Sequence, residues 1–233
     1  MNLDLESIIN SVGRRGTRTR AEYTTAPAQR LKQWWVAERM APHLLEYQLD
    51  LLNEVITNCR SLRDYIEETS LTLLDEAAVE SLGEETLRDV KIKLLLVETE
   101  LERAKFVARA YKRTRMAKID LLPYYYLQQQ ESQSGIMSKD EWVYCHHRTE
   151  LEASSYYKGF LNAFPTELQG LTDEDGHISM IETPDMDKPV VVRVNTDIGT
   201  LKIGSEEVEL VKNGVYLLRF SAVSDYLEFV DIL

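Results

Sequence analysis

Cysteine is almost missing from this chain: two among 233 residues, Cys59 and Cys145. They lie far apart and form no C-x-x-C pair, which points to a reducing compartment. Long apolar runs are missing too. No window approaches eighteen uninterrupted apolar residues, so no membrane span is expected. The opening MNLDLESIIN is acidic and lacks a basic n-region, so it is not expected to act as a secretory signal. Walker, G-x-G-x-x-G, G-x-S-x-G and H-E-x-x-H patterns are absent. Cys145-His146-His147 are consecutive, and on a helix their side chains fan apart by about 100° each, so they do not converge on one metal ion. An enzyme reading therefore has no nucleophile, base or phosphate cradle to name. No cofactor is expected.

What is present fits one large domain or two modest ones, at 44% hydrophobic and 28% charged residues. A formal net charge of −12 argues against wrapping nucleic acid with the whole surface. Any DNA contact is expected to be local, weak or indirect.

The stretch that organises the chain is Val97–Ile119. Leu94, Val97, Leu101, Ala104, Ala108, Tyr111, Ile119 and Leu122 recur at three-and-four spacing, which predicts a helix with one buried stripe. Only Arg115 interrupts that stripe, and Pro123 closes the helix. Glu98, Glu100 and Glu102 crowd its front, while Arg103, Lys105, Arg109, Lys112, Arg113, Arg115 and Lys118 fill its back, a polarity that suits the helix dipole. Three readings of the cations stand. They are a solvated face, a phosphate-binding stripe, or partners for carboxylates on this chain or another.

Before this helix, Asn2–Val12 is a short amphipathic segment followed by the cationic GRRGTRTR, a helix-in-groove ligand on a tether or a terminus docked on its own domain. Pro27 opens an apolar-periodic segment that Pro42 breaks. Leu44–Arg63 is predicted to resume as helix. Tyr65–Leu87 is an acidic helix or two, interrupted at Gly83. After Pro123, Tyr124–Tyr126 leads into QQQESQSG, expected to be a loop. Ser138 with Glu141 has the capping-box spacing. The following helix runs to about Ala163, with Trp142, Cys145, Thr149, Ala153, Tyr156 and Phe160 inward.

Beyond Pro165 an acidic loop is followed by β-type runs at Val190–Asn195, Leu201–Ile203, Val208–Val211 and Val215–Ser221. Asn213-Gly214 between the last two is a hairpin signal. A helical turn over Ala222–Leu227 and a closing strand over Glu228–Leu233 complete the chain. So small a β core needs support from the helices or from a partner. Its candidate docking residues are Tyr216, Leu218, Phe220, Leu227 and Leu233. The fold class read from the sequence is α+β, with an all-α domain ahead of a small β-rich one. The boundaries are a tail at 1–20, a helical A domain at 21–165, a linker at 166–186 and a B domain at 187–233.

The run E-T-E-L-E-R-x-K-F-V-x-R-x-Y-x-R-x-R-x-x-K-I, held by Glu98 to Ile119, strongly resembles the central helix of subunit four, the SLD-five type, of the GINS replication complex. A second match is W-x-x-E-R-x-x-P-x-L-L-x-Y, held by Trp35, Glu38, Arg39, Pro42, Leu44, Leu45 and Tyr47. Many members have a proline before that tyrosine, where this chain has Glu46. Ser138–Glu141, Pro165 with Glu167 and Leu168, and Met180-Ile181-x-x-Pro184-Asp185 continue the similarity.

The resemblance implies a non-catalytic subunit of a heterotetramer with three paralogous PSF-type partners. That complex joins the MCM ring and the CDC-forty-five protein in the replicative helicase, in the nucleus. It further implies a subunit interface on the central helix, at Glu98, Glu100, Leu101, Arg103, Lys105, Phe106, Arg109, Tyr111, Arg113 and Arg115. The helical-domain anchor is Trp35, Glu38, Arg39, Pro42, Leu45 and Tyr47. In fungal members a short N-terminal motif docks on a trimeric replisome hub, and Asp4, Leu5, Ile8 and Ile9 resemble it. The alternative is a nucleic-acid-binding module that uses the basic helix.

Overall fold

The computed structural model describes residues 26–74, 84–132, 135–175, 178–197, 199–203 and 206–233. Its fold is α+β, with helices from Pro27 to Gly159 and small antiparallel sheets after them. Two units make up the chain. Met1–Trp34 and Asp50–Ala110 form the first, and Trp35–Leu49 and Tyr111–Leu233 form the second.

Helix α1, Pro27–Met40, starts on a proline, whose fixed φ and missing N–H suit the first helical position. It ends just ahead of Pro42. Helix α2 is Leu49–Leu74. It begins five residues later than the periodicity predicts, because side chains already hold the preceding backbone. The Leu44 N–H donates to Tyr126 Oη, the Leu45 N–H to Glu38 and the Gln48 N–H to Tyr111 Oη. These tertiary bonds hold residues 44–48 as an irregular strap ahead of the helix.

Helix α3, Glu84–Leu121, runs 38 residues and contains the whole predicted stretch. Residues 75–83, including the expected break at Gly83, lie outside the described residues. Helix α4, Pro123–Ser132, replaces the loop expected from QQQES. Glutamine is a good helix former and no glycine intervenes before Gly135, so polarity alone misled.

In the first unit the buried residues are Leu31 of α1, Leu51, Leu52 and Val55 of α2, and Val97, Leu101, Ala104, Val107 and Ala110 of α3. Arg30 pairs with Glu54 at 2.6 Å. Burial pushes the Cys59 thiol up, with Lys105 and Glu102 beside it.

In the second unit helix α5, Lys139–Gly159, carries the predicted capping box. Glu141 N–H donates to Ser138 Oγ, and Ser138 N–H donates back to the Glu141 carboxylate. Cys145 and Thr149 are buried as expected, whereas Trp142, Tyr156 and Phe160 are exposed. A 3-10 turn over Leu161–Ala163 follows α5.

The strands are β1 (Glu174–Asp175), β2 (Ile178–Ser179), β3 (Pro189–Val194), β4 (Gly199–Ile203), β5 (Glu206–Leu210), β6 (Val215–Arg219) and β7 (Val230–Ile232); Phe220–Val223 forms the short helix α6. The first two make a small hairpin inside the segment expected to be a loop. The main sheet has the order β6-β3-β7, fully antiparallel, and β4 pairs with β5 separately.

The hairpin expected across Asn213-Gly214 is therefore not formed. The turn itself is real: Asn213 has φ +64°, and Gly214 N–H donates to Val211 O at 2.9 Å. It docks on β3 instead, with Asn213 N–H donating to Val194 O at 2.8 Å. The alternating valines of β3 supply a buried row for β6 that the glutamate-rich β5 does not match.

Two cores lie within this unit. Val190, Val192 and Val194 of β3, Leu210, Phe220, Val223, Val230 and Ile232 pack with Ala41 and Leu45. Leu44, Ile119, Leu122, Tyr126, Met137 and Cys145 form the second. The strap after α1 thus sends Leu45 into one core and Leu44 into the other, and the sheet gains the helical support that its size demands.

Candidate functional site

Arg115 is the centre of the second unit. It sits on the apolar stripe of α3, fully buried, and a guanidinium taken out of water needs every donor satisfied. All five N–H groups find acceptors. Nε donates to Glu141 Oε1 at 2.8 Å and Nη2 to Glu141 Oε2 at 3.1 Å. Nη1 donates to Glu38 Oε2 at 2.9 Å and to Leu45 O at 2.7 Å. Nη2 also reaches Ile136 O at 2.6 Å. Tyr47 and Tyr111 place their rings 5.1 and 5.8 Å from Cζ, in cation–π range.

Lys118, one turn along α3, donates to Glu38 Oε1 and to His43 O, both at 2.7 Å. Two cations and two carboxylates thus close a neutral cluster. Burial on its own would lower the Arg115 pKa, but Glu141 and Glu38 outweigh it and hold the pKa above its ordinary value. For Lys118 burial wins over Glu38 and lowers the pKa. Desolvation, then the Lys118 charge, pushes His43 down to about 4. Its ring meets Phe220 edge-on at 4.9 Å. Burial raises the Tyr111 hydroxyl to about 12.

The hub gathers three stretches distant in sequence. Glu38 and Leu45 come from the tryptophan motif, Arg115 from the central helix and Glu141 from the capping box. Trp35 is fixed by Nε1 donating to Thr114 Oγ1 at 3.1 Å. Of the expected anchor residues, Glu38 and Leu45 are buried, Trp35, Pro42 and Tyr47 are half-buried, and Arg39 is exposed.

The residues expected at a subunit interface divide. Leu101, Tyr111 and Arg115 are buried within their own units. The carboxylates that meet Arg115 are intramolecular. Glu98, Arg103, Phe106, Arg109 and Arg113 are exposed, and Glu100 and Lys105 are half-buried. Glu100 pairs with Arg103, and Lys105 lies 2.9 Å from Glu102. Arg109 approaches Glu102 loosely at 3.6 Å.

In the β region Phe220 is buried, Tyr216, Leu218 and Leu227 are half-buried beside the sheet core, and Leu233 is exposed. Asp4, Leu5, Ile8 and Ile9 lie outside the described residues.

Sequence reasoning missed two things. It read Glu141 only as a cap, although an arginine on an apolar stripe calls for an internal acid. It also passed over Ile92, Leu95 and Leu96, which are all exposed. With Phe106 they give the first half of α3 a second apolar face, and the signal was the departure from a single stripe. Among the described residues no group of metal-ligating side chains converges. None of the described helices is long and apolar enough to cross a membrane.

Comparison with known proteins bears on both the helices and the sheet. Residues 184–229 match the family model described as DNA replication complex GINS protein SLD5 C-terminus. The DNA replication complex GINS protein SLD5 of Yarrowia lipolytica is 34% identical over 231 residues, 99% of this chain and 84% of that protein. The protein of the same name from Debaryomyces hansenii is 32% identical over 203 residues, 84% of this chain and 81% of its own. That of Schizosaccharomyces pombe is 34% identical over 195 residues, 83% and 84% respectively. With the motif residues gathered in the Arg115 hub and the similarity running through helices and sheet alike, the chain belongs to the SLD5 family of GINS proteins.

Proposed function

We propose that this chain is a non-catalytic structural subunit of a heterotetrameric GINS complex, assembled in the nucleus with three paralogous PSF-type subunits. That complex acts with the MCM ring and the CDC-forty-five protein as the replicative helicase, in initiation and elongation of chromosomal DNA replication. Residues 21–165 and 187–233 serve as its A and B domains. The segment 1–20 presents Asp4, Leu5, Ile8 and Ile9 to a trimeric replisome hub.

The observation that carries this reading is an apolar face of α3 that is exposed among the described residues. Ile92, Leu95, Leu96 and Phe106 are each about half exposed or more. Exposed Glu98, Arg103 and Arg109 accompany them. Large apolar side chains with arginines beside them have the composition of a protein interface. The test is co-expression with the three paralogous subunits. Wild type should elute with them as one species, and Leu96→Lys with Phe106→Glu should fold yet fail to co-purify. Normal assembly of the double variant would remove α3 from the interface.

A second reading has its own support. Lys112 and Arg113 are exposed, and no ion pair holds either among the described residues. Reversing both charges should weaken assembly in the first reading. Loss of salt-dependent DNA binding with assembly intact would favour phosphate contacts instead.

A further inference from the structure

Strand β6 lies at one edge of the main sheet, with β3 on one side and no strand among the described residues on the other. The register identifies the backbone groups left over. Val194 N–H donates to Gly214 O, and Phe220 N–H donates to Lys188 O, both at 3.0 Å. Bonded and non-bonded pairs alternate in an antiparallel ladder, so Val192–Tyr216 and Val190–Leu218 are the bonded pairs between them. Val215, Leu217 and Arg219 therefore turn their N–H and C=O groups away from β3.

Side chains alternate with the same period, which puts these three on the face opposite the core. Leu217 is 69% exposed and Val215 54%. Half-buried Val191 stands directly across from Leu217. Arg193 on the same face has Asp231 opposite it on β7.

The ends of the edge are cationic. Lys212 enters it with no ion pair to its ammonium among the described residues. Arg219 leaves it with Asp187 at 3.7 Å as its one ion pair among the described residues, both groups being about two-thirds exposed. Edge strands are normally blunted by a proline, a bulge, extreme shortness or charged side chains along the edge, and between Lys212 and Arg219 this edge carries no charge. β6 pairs over five residues in unbroken register and contains no proline.

We propose that this edge docks an extended peptide segment of a partner protein, apolar at alternate positions and carrying a carboxylate at each end, which adds as a further strand beside β6. Backbone bonds to Val215, Leu217 and Arg219 hold it, and the side chains of Val215 and Leu217 receive its apolar residues. Lys212, on the turn that leads into β6, and Arg219 at its far end fix its ends across a strand of five residues, or roughly 16 Å.

The experiment is residue-resolved amide exchange on the full chain, with a synthetic peptide of alternating valine and threonine ended by aspartates. In the free chain the Leu217 amide should exchange quickly while Tyr216 and Leu218 stay protected. Excess peptide should slow exchange at Val215, Leu217 and Arg219 by at least about tenfold. The same peptide ended by lysines should protect far less.

Leu217→Pro removes one outward N–H and leaves the β3 ladder intact, so Tyr216 should stay protected and the peptide effect should vanish. If that variant loses Tyr216 protection, Leu217→Glu replaces it as the test of the same edge. Three results would overturn the proposal: no protection by the aspartate-ended peptide, equal protection by the lysine-ended one, or slow exchange at Leu217 that rises with chain concentration and assigns the edge to self-pairing.

Discussion

Arg115 and Glu141 stand 26 residues apart and meet in a two-pronged pair, Nε to Oε1 at 2.8 Å and Nη2 to Oε2 at 3.1 Å. The same carboxylate accepts the Ser138 N–H at 2.9 Å. One side chain therefore closes the capping box of α5 and serves as counter-ion to the core of the second unit. Helix start and buried charge are coupled, and the coupling is measurable.

Arg115→Met should lower the unfolding free energy by about 3–5 kcal/mol, because it strands buried carboxylates. Arg115→Lys should recover little of this. An ammonium has three donors and no planar fork, against five acceptor contacts here. Denaturant unfolding of both variants decides it, and a lysine variant as stable as wild type would contradict the five-bond geometry.

Ser138→Ala alone should cost about 1 kcal/mol, the usual worth of an N-cap. Glu141→Ala should cost several times more, since cap and ion pair go together. The two should be non-additive, because the cap needs both side chains. A double-mutant cycle that sums within about 0.3 kcal/mol would separate the cap from the hub.

His43 gives the second unit a pH response. Its folded pKa is lowered from 6.5 to about 4, so between those values the unfolded chain binds the extra proton. Stability therefore rises with pH across that window, is complete above about 6.5, and falls as pH drops toward 4. Full expression of the shift corresponds to about 3 kcal/mol. His43→Gln should flatten the unfolding free energy between pH 6.5 and 4 relative to wild type, while the carboxylate contributions common to both chains remain. Parallel wild-type and variant curves would show that His43 does not titrate in this way.

Cys145 should be silent toward alkylating reagents at pH 8 and react once the unit unfolds. It is fully buried, its thiol is pushed up to about 11 by burial and then by Asp120, and Sγ lies 3.3 Å from Pro123 O. Mass spectrometry of a short alkylation pulse should find label at Cys59 first. Rapid native labelling of Cys145 would mean that α4 and α5 separate readily.

Much of this fold was legible because periodicity and punctuation agreed. The stripe from Val97 to Ile119 predicted the buried face of α3, with Arg115 read as its interruption, and Ser138 with Glu141 marked the start of α5. What was not legible was non-local. Asn213-Gly214 encodes a reversal of the chain, yet pairing was settled by the valine row of β3, nineteen or more residues earlier. The late start of α2 depends on Tyr111 and Tyr126 reaching back to hold Gln48 and Leu44. The segment after Pro123 looked like a loop because polarity and helix propensity diverge in glutamine. At the candidate interface the charge run could not say which arginine is satisfied at home. Arg115 stands on the apolar stripe and Arg113 does not, but only the positions of Glu38 and Glu141 show that the acid facing Arg115 is internal.

The neutral cluster of Glu38, Arg115, Lys118 and Glu141 also constrains how this lineage can drift. A single exchange at any of its charged positions leaves an opposite charge stranded, so accessible one-step neighbours are unfit. A concerted change to well-packed apolar side chains would carry no such penalty. Positions 38, 115, 118 and 141 are thus expected to be inherited as a block, persisting together over long divergence and vanishing together where they are lost. The exposed cations of α3 lack this mutual linkage, so any constraint on them comes from a partner and acts on each position singly.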